Sequence, residues 1–541
     1  MTSRRVASLL GHLGDMEDFG TNKAKCSDDD SACKSCEGES NPAISPLQRN
    51  PTSAVASPII TQFRQPRIKN QHDYVQSLRN RHLQVYYLGE LVLEPADHPA
   101  IKPSINAVGM TYEIPEAQAN SQLSGFAISR FLHITTSVED VVLQSRMQRR
   151  LGQLTGTCFQ RCVGMDALNA LYKTTYECDA KYQTKYHANL LAFIKLAHSE
   201  NSVVGGAMTD GKGDRSKRPS DQPDLDVHLR VVERRVDGVI VRGVKTHQTG
   251  CVNSHHLIVM PGGAMIPKEH DFAIAFHIPV TAKGITYVIG RQSCDLRAME
   301  PEADIDLGNA QFGGQEAVVV FDNVFVPYEN LLLDGQTDMC ASLVQAFTAY
   351  HRRSYICKAG LGDVLVGAAG SISILNGTDK ASHVKDKLIE MAHLNETIAS
   401  CAIAASYAST QTVAGNFLPN VLMANVCKQN VTRFPYEISR LAQDLAGGLL
   451  VTLPSSKDFD NPHTGPMLRK YLAGPNPKDM DKRRRVLRLI ENMTLGRNAV
   501  GYLTESMHGA GSPQAQRVLI AQLHGLEEKI KLANALAGIK E

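Results

Sequence analysis

Apolar residues recur at three- and four-residue steps through 165–186 and 188–197, which predicts helices there within a mainly helical stretch from Tyr74 to about Ser199. The pattern changes near Asn201. Segments 227–232 and 239–244 are rich in β-favouring residues and flank Asp237-Gly238, the signature of a hairpin with a tight turn. Further strands are expected at 257–259, 272–276, 285–289 and 317–321. From Asp338 the helical period returns, with long candidates at 338–375, 381–413, 419–446, 480–507 and 513–537. The order predicts an α+β chain: an N-terminal helical domain over 69–200, a middle antiparallel β-domain over 201–335 and a C-terminal helical bundle over 336–541. Residues 1–68 are polar, acidic at Asp28-Asp29-Asp30 and without apolar period, and read as a disordered N-terminal extension.

Charge changes this picture little. The chain has 57 Lys+Arg against 55 Asp+Glu, so nothing points to nucleic acid or to a membrane surface as partner. No uninterrupted apolar run reaches about 18 residues. Twelve Cys spread over 541 residues do not form a secreted disulfide framework and suit a reducing compartment, with the cytoplasm as the expectation. Met1–Gly14 is Arg-bearing, acid-free and loosely amphipathic; it fits either a mitochondrial presequence, hence the matrix, or a plain tail. Cys33 and Cys36 form a CxxC near Cys26, but no second pair lies at zinc-site spacing, so incidental thiols are expected.

The candidate chemistry sits in six short segments. Cys158 and Cys162 lie four residues apart; on one helix they would share a face, and at a helix start the dipole would lower their pKa. His351-Arg352-Arg353-Ser354-Tyr355-Ile356-Cys357-Lys358 crowds ionisable groups into an apolar helix, which is costly unless they are paired or functional. Three thiols and one imidazole (His351) make a four-ligand set suited to an iron–sulfur cluster, although a lone C-x3-C is as compatible with structural thiols. Met208-Thr209-Asp210-Gly211-Lys212-Gly213-Asp214-Arg215 offers glycines for close backbone approach and cations for phosphate, or a surface turn. Lys245, Thr246, His247 and Thr249 end a strand where they can bond a heteroaromatic edge, or form a loop. Glu316 begins an apolar strand and can be a raised-pKa acid or base. Glu505 precedes the small-residue stretch Gly509-Ala510-Gly511-Ser512, with Ser512 and Pro513 placed to cap and open the last helix.

The stretches GTCFQRCVGMDALNALY (156–172), TDGKGDRSKRP (209–219), EAVVVFDNVFVPYEN (316–330), HRRSYICKAGLGDVLVGAA (351–369) and ESMHGAGSPQAQ (505–516) together resemble the dehydratase branch of the 4-hydroxyphenylacetate 3-hydroxylase flavoprotein family, over about residues 70–541. The resemblance implies an acyl-CoA-dehydrogenase-like fold, a homotetramer, FAD, a [4Fe–4S] cluster and an acyl-CoA substrate. It implies dehydration of 4-hydroxybutyryl-CoA to crotonyl-CoA by one-electron flavin chemistry, with vinylacetyl-CoA isomerisation at the same site. Carried over residue by residue, it makes Cys158, Cys162, His351 and Cys357 the cluster ligands. His351 would also be the base for the β-proton, Glu505 the proton carrier at the γ-carbon and Glu316 a support for the substrate hydroxyl. Tyr355 and Lys358 would bind substrate or stabilise charge, Gln160 and Thr249 would line the pocket, and 208–216 with 245–249 would contact the flavin. The runner-up is a reduced-flavin-dependent aromatic 3-monooxygenase; a scaffold without turnover is a third class.

One spacing departs from the family pattern. The pattern sets six residues between the ligand His and Cys, and this chain has five. Seven helical steps return to one face, whereas six leave two side chains about 120° apart. Either the helix is irregular between Tyr355 and Cys357, or Cys357 and Lys358 miss their roles.

Overall fold

The computed structural model describes residues 66–291, 295–300 and 304–539, apart from Lys212. Of the extension expected over 1–68, residues 1–65, with Cys26, Cys33 and Cys36, lie outside the described residues, as does Lys212; its end departs from the expectation, since Ile68 is buried and its N–H donates to the Glu200 carbonyl at 2.9 Å.

Among the described residues ten strands build the two larger sheets: β1 (Gln84–Tyr87), β2 (Glu90–Leu91), β3 (Val204–Ala207), β4 (Arg230–Arg234), β5 (Gly238–Thr249), β6 (His256–Val259), β7 (Ile274–Pro279), β8 (Ile285–Ile289), β9 (Glu316–Pro327) and β10 (Leu331–Asp334). The larger sheet runs β2-β1-β8-β9-β5-β4 and the smaller β10-β7-β6-β3. The expected hairpin is β4–β5, paired Val231 to Val241 and Arg234 to Val239. The sheets are mixed rather than purely antiparallel, because β1 pairs β8 and β3 pairs β6 in parallel. Each parallel pair joins strands far apart in sequence, as parallel pairing requires. Two strands from before residue 201 thus complete a sheet whose other strands come after it. Inward residues alternate along β9 (Ala317, Val319, Phe321) until a bulge near Phe321 resets the phase to Val324 and Val326. They pack with Val239, Val241 and Tyr287 of the same sheet and with Leu257, Val259 and Phe276 of the other, in one buried core.

The long helices are α1 (Val138–Thr155), α2 (Cys162–Tyr182), α3 (Tyr186–Glu200), α4 (Thr337–Ser354), α5 (Cys357–Leu375), α6 (Ser382–Tyr407), α7 (Val421–Val431), α8 (Phe434–Ala446), α9 (Met480–Thr494) and α10 (Pro513–Leu523). Several predicted long helices are broken, each for a local reason. Pro435 in the first turn of α8 ends the 419–446 helix at Thr432-Arg433. Gly525, at φ +65°, separates α10 from a last helix at Leu526–Leu536. The stretch Thr337–Leu375 has the length and apolarity of a membrane span, yet it is the paired core helices α4 and α5, with much of its surface buried.

Candidate functional site

Helix α1 ends at Gly156, whose φ of +60° turns the chain back. The loop that follows carries Cys158, and Cys162 is the first residue of α2. The two thiols therefore do not share a helix face; one precedes the helix that the other opens. Gln160, at φ +65°, pins the loop. Its amide donates to the carbonyls of Ser104 (3.0 Å) and Gly313 (3.3 Å) and accepts from Asn253 (2.8 Å). Gln160 is thus a buried brace beside the pocket.

Cys357 reaches the same place through a close helix crossing. A Cβ on Gly152 of α1 would stand 2.5 Å from the Cys357 carbonyl, and one on Gly360 of α5 would stand 2.2 Å from that of Arg149. Only glycine permits this approach, which packs Cys357 with Leu151, Phe159 and Met165, against Cys162. Of the two outcomes the spacing left open, the helix is irregular between Tyr355 and Cys357: α4 ends at Ser354, Tyr355-Ile356 form a turn, and α5 starts at Cys357.

The helix-start effect expected to acidify these thiols is overridden. Burial pushes Cys158 well above the usual thiol range, with the Glu505 carboxylate adding to it. Burial and then Cys357 do the same to Cys162, and burial lifts Cys357 to about 11. Cys158 and Cys162 each feel the charge of Cys357, which marks one shared environment.

His351 is oriented by its neighbours. Its Nδ1 lies 2.8 Å from Oδ2 of the fully buried Asp166, and its ring stacks on Phe347 and meets the edge of Tyr355. Glu505 sits at the end of a π-helical turn, Val500–Thr504, an irregularity common at functional sites. Its Oε2 accepts from Lys358 at 3.0 Å, and Lys358 also donates to the Gly501 carbonyl at 2.7 Å. Burial opposes the Lys358 charge, but Glu505 and the neighbouring thiols outweigh it and hold the ammonium well above its ordinary range. The Cys158 thiol faces Glu505 Oε1 at 3.9 Å, and Tyr355 Oη lies 3.4 Å from the Glu505 carbonyl. Thr249 donates to both oxygens of Glu316 at 2.9 Å. Burial, then the nearby Glu505, drives the Glu316 carboxyl well above the usual carboxylate range. Catalytic and metal candidates thus converge from α1–α2, β5, β9, α4–α5 and the 500–505 turn.

The expected flavin segments also adjoin one another. Asp210 bridges to Lys245, and Thr246 N donates to the Thr209 carbonyl at 2.8 Å. Lys245 is a buried strut: its ammonium meets Asp210 at 2.7 Å and the carbonyls of Met208 and Met260 at 2.9 and 2.8 Å. Its donors are spent, so it can serve a cofactor only by fixing the 208–210 backbone. Gly211 and Gly213 are required by the protein itself, since a Cβ would strike the Val227 carbonyl or Gln222. Met208 is half-buried, while Thr209, Asp214, Arg215 and His247 are exposed. Ser512 opens α10 without a side-chain cap bond, and Pro513 takes the first turn as expected.

Two residues at the site carried no signal of spacing. Asp166 is one turn past Cys162, an acid on an otherwise apolar face. Lys428 on α7 is fully buried, donates to the carbonyls of Ser506 (2.5 Å) and Met507 (3.4 Å), and stands 4.5 Å over the Tyr355 ring. Burial, then the charges of Arg352 and Lys358, push it down to about 7. The unfolded chain, with lysine near 10.5, therefore binds more protons between pH 7 and 10.5, and stability gains with rising pH across that window. Lys428→Met removes this gain. Wild type should rise against the variant by up to about 1.4 kcal/mol per pH unit, read by urea unfolding at pH 7 and 9; parallel behaviour would discard the assignment.

Comparison with known proteins gives the family. The model of the 4-hydroxyphenylacetate 3-hydroxylase N terminal matches residues 70–333, and that of the C terminal matches 340–538. The chain is 52% identical to the 4-hydroxybutyryl-CoA dehydratase/vinylacetyl-CoA-Δ-isomerase of Clostridium aminobutyricum, over 86% of this chain and 99% of that one. The structure of an oxygen-tolerant archaeal 4-hydroxybutyryl-CoA dehydratase from N. maritimus superposes with a TM-score of 0.86 at 58% identity, over 88% of this chain and 96% of that one. The FAD complex of the oxygenase component of a 4-hydroxyphenylacetate 3-monooxygenase shares the fold at 19% identity and a TM-score of 0.77, over 87% of this chain and 100% of that one. The chain belongs to the 4-hydroxyphenylacetate 3-hydroxylase family, in its 4-hydroxybutyryl-CoA dehydratase branch.

Proposed function

We infer that this protein dehydrates 4-hydroxybutyryl-CoA to crotonyl-CoA and isomerises vinylacetyl-CoA to the same product. Its support is the meeting of three largely buried thiols and a carboxylate-held imidazole beside the Glu505–Lys358 pair, a donor set that an aromatic hydroxylase does not need.

The donor chemistry fits a [4Fe–4S] cluster: soft thiolates from Cys158, Cys162 and Cys357, and an imidazole from His351. Among the described residues no three His, Cys, Asp or Glu side chains are close enough to hold a single metal ion, and a cluster takes more widely spread ligands. FAD would lie along 208–215 and 245–249, with the exposed Arg215 available to phosphate. When bound, the flavin supplies one-electron chemistry at the substrate and the cluster a Lewis-acidic iron for its hydroxyl.

The protein's own residues handle the protons. Dehydration removes one proton from the α-carbon and one from the β-carbon; one returns at the γ-carbon and the other leaves with the hydroxyl as water. His351, with Nδ1 engaged by Asp166, keeps Nε2 for iron or for the β-proton. Glu505 is the carrier to the γ-carbon, held by Lys358. Glu316, whose environment favours the protonated form, donates to the substrate hydroxyl. Tyr355 and Lys358 place hydrogen-bond donors along the substrate. A cytoplasmic homotetramer completes the proposal.

Purification without oxygen tests it. About four iron and four sulfide with FAD per subunit are expected, together with turnover of 4-hydroxybutyryl-CoA. FAD without iron, and no turnover, would defeat it.

A further inference from the structure

We propose that Asp166 is the positioning residue that fixes the tautomer of His351, and so decides which imidazole nitrogen faces the reacting centre. This rests on the assignment of His351 above.

The geometry is complete on every side of the carboxylate. Oδ2 lies 2.8 Å from His351 Nδ1 and Oδ1 accepts from Ser354 Oγ at 3.0 Å. Arg353 Nη2 stands 3.8 Å from Oδ1. Arg353 is itself fully buried and is held by Gln144 (3.0 Å), Gln148 (3.2 Å) and Ser145 (3.2 Å). Gln148 donates in turn to the Cys162 thiol at 3.2 Å, so one chain of contacts joins the imidazole to a thiol. With Ser354 donating to Oδ1 and the Arg353 guanidinium beside it, the carboxylate meets the ring as an acceptor. Its partner nitrogen must then carry the hydrogen, which leaves the lone pair on Nε2. His351 Nε2 makes no hydrogen bond among the described residues, and a free Nε2 opposite a carboxylate-bound Nδ1 is the arrangement by which proteins present an imidazole to a metal. Phe347, stacked at 5.1 Å, and Tyr355, edge-on at 5.5 Å, stop the ring from rotating out of this pose. Asp166 is fully buried with Oδ2 turned to His351, so it acts by positioning.

Asp166→Asn tests this. Ser354 holds the Asn oxygen, so the NH2 group faces His351 Nδ1 and forces the hydrogen onto Nε2. The whole oxygen-free holoenzyme is compared as wild type, Asp166→Asn, Ser354→Ala and His351→Ala, by turnover, iron content and the Mössbauer spectrum of the cluster. Turnover in Asp166→Asn should fall by about 10²–10⁴-fold with KM nearly unchanged, and the signal of one iron should move towards that of His351→Ala. Ser354→Ala, which leaves the Arg353 counter-charge in place, should show the same spectral change to a smaller degree even if Asp166→Asn does not fold. A changed spectrum in His351→Ala, with wild-type spectra in Asp166→Asn and Ser354→Ala, would overturn the role of Asp166 alone. A wild-type spectrum and turnover in His351→Ala would instead overturn the assignment of His351, and this inference with it.

Discussion

Glu505→Gln should lower dehydration of 4-hydroxybutyryl-CoA by about 10²–10⁴-fold while FAD and iron stay bound. The substitution keeps the volume and the oxygen that faces Cys158, but it removes the charge that Lys358 meets at 3.0 Å and the group that can carry a proton. Lys358 retains the Gly501 carbonyl at 2.7 Å, so the pocket keeps its shape. Breaking a buried ion pair can cost about 3–5 kcal/mol, and the urea midpoint should fall accordingly. Both effects are read on one preparation: turnover beside FAD and iron content, then unfolding. Turnover within threefold of wild type would remove Glu505 from the proton path, whatever happens to stability.

Cys357→Ser should lose iron and, with it, at least about 10³ in turnover. A buried serine hydroxyl is a hard and weakly acidic donor that replaces a soft thiolate poorly. The control lies in the same chain: Cys251 and Cys340 are as buried as Cys357 but sit in other cores, and their serine variants should keep full iron. Iron at the wild-type level in Cys357→Ser would exclude it as a ligand. Iron lost equally from all three variants would point to general destabilisation. The raised proton affinity of all three site thiols adds a consequence: loading the cluster must release protons, which a weakly buffered reconstitution can record.

How much of this was legible in the sequence depends on how local each cause is. The β4–β5 hairpin was, because Asp237-Gly238 and its flanking strands are a complete local signal. The break after Tyr355 was foreseen as one of two outcomes, from a count of residues against the family pattern. The break at Pro435 carried a local cue, yet the apolar period ran past it. The parallel partners of β1 and β3 left no trace, since those pairings are decided by sheet closure across long stretches of chain. At the site, thiols, imidazole and acids stood out by residue type. Asp166 and Lys428 did not: each is a single charge on an apolar face, and only its buried partners show what it does. The fate of Lys245 was equally hidden, because a lysine near a strand end looks the same whether it faces a ligand or is locked onto Asp210.

The π-helical turn at Val500–Thr504 carries one more residue than an α-helical turn of the same rise. Deleting a residue there would restore the ordinary winding and swing Glu505 by about 100°, off Lys358, and would shift the buried Tyr502 with it. The turn at Tyr355-Ile356 holds Cys357 by the same kind of count. Two single-residue insertions or deletions are therefore the shortest mutational path by which descent could switch this chemistry on or off in an otherwise unchanged scaffold, and gaps at these two places in related chains are where a change of activity would be inherited.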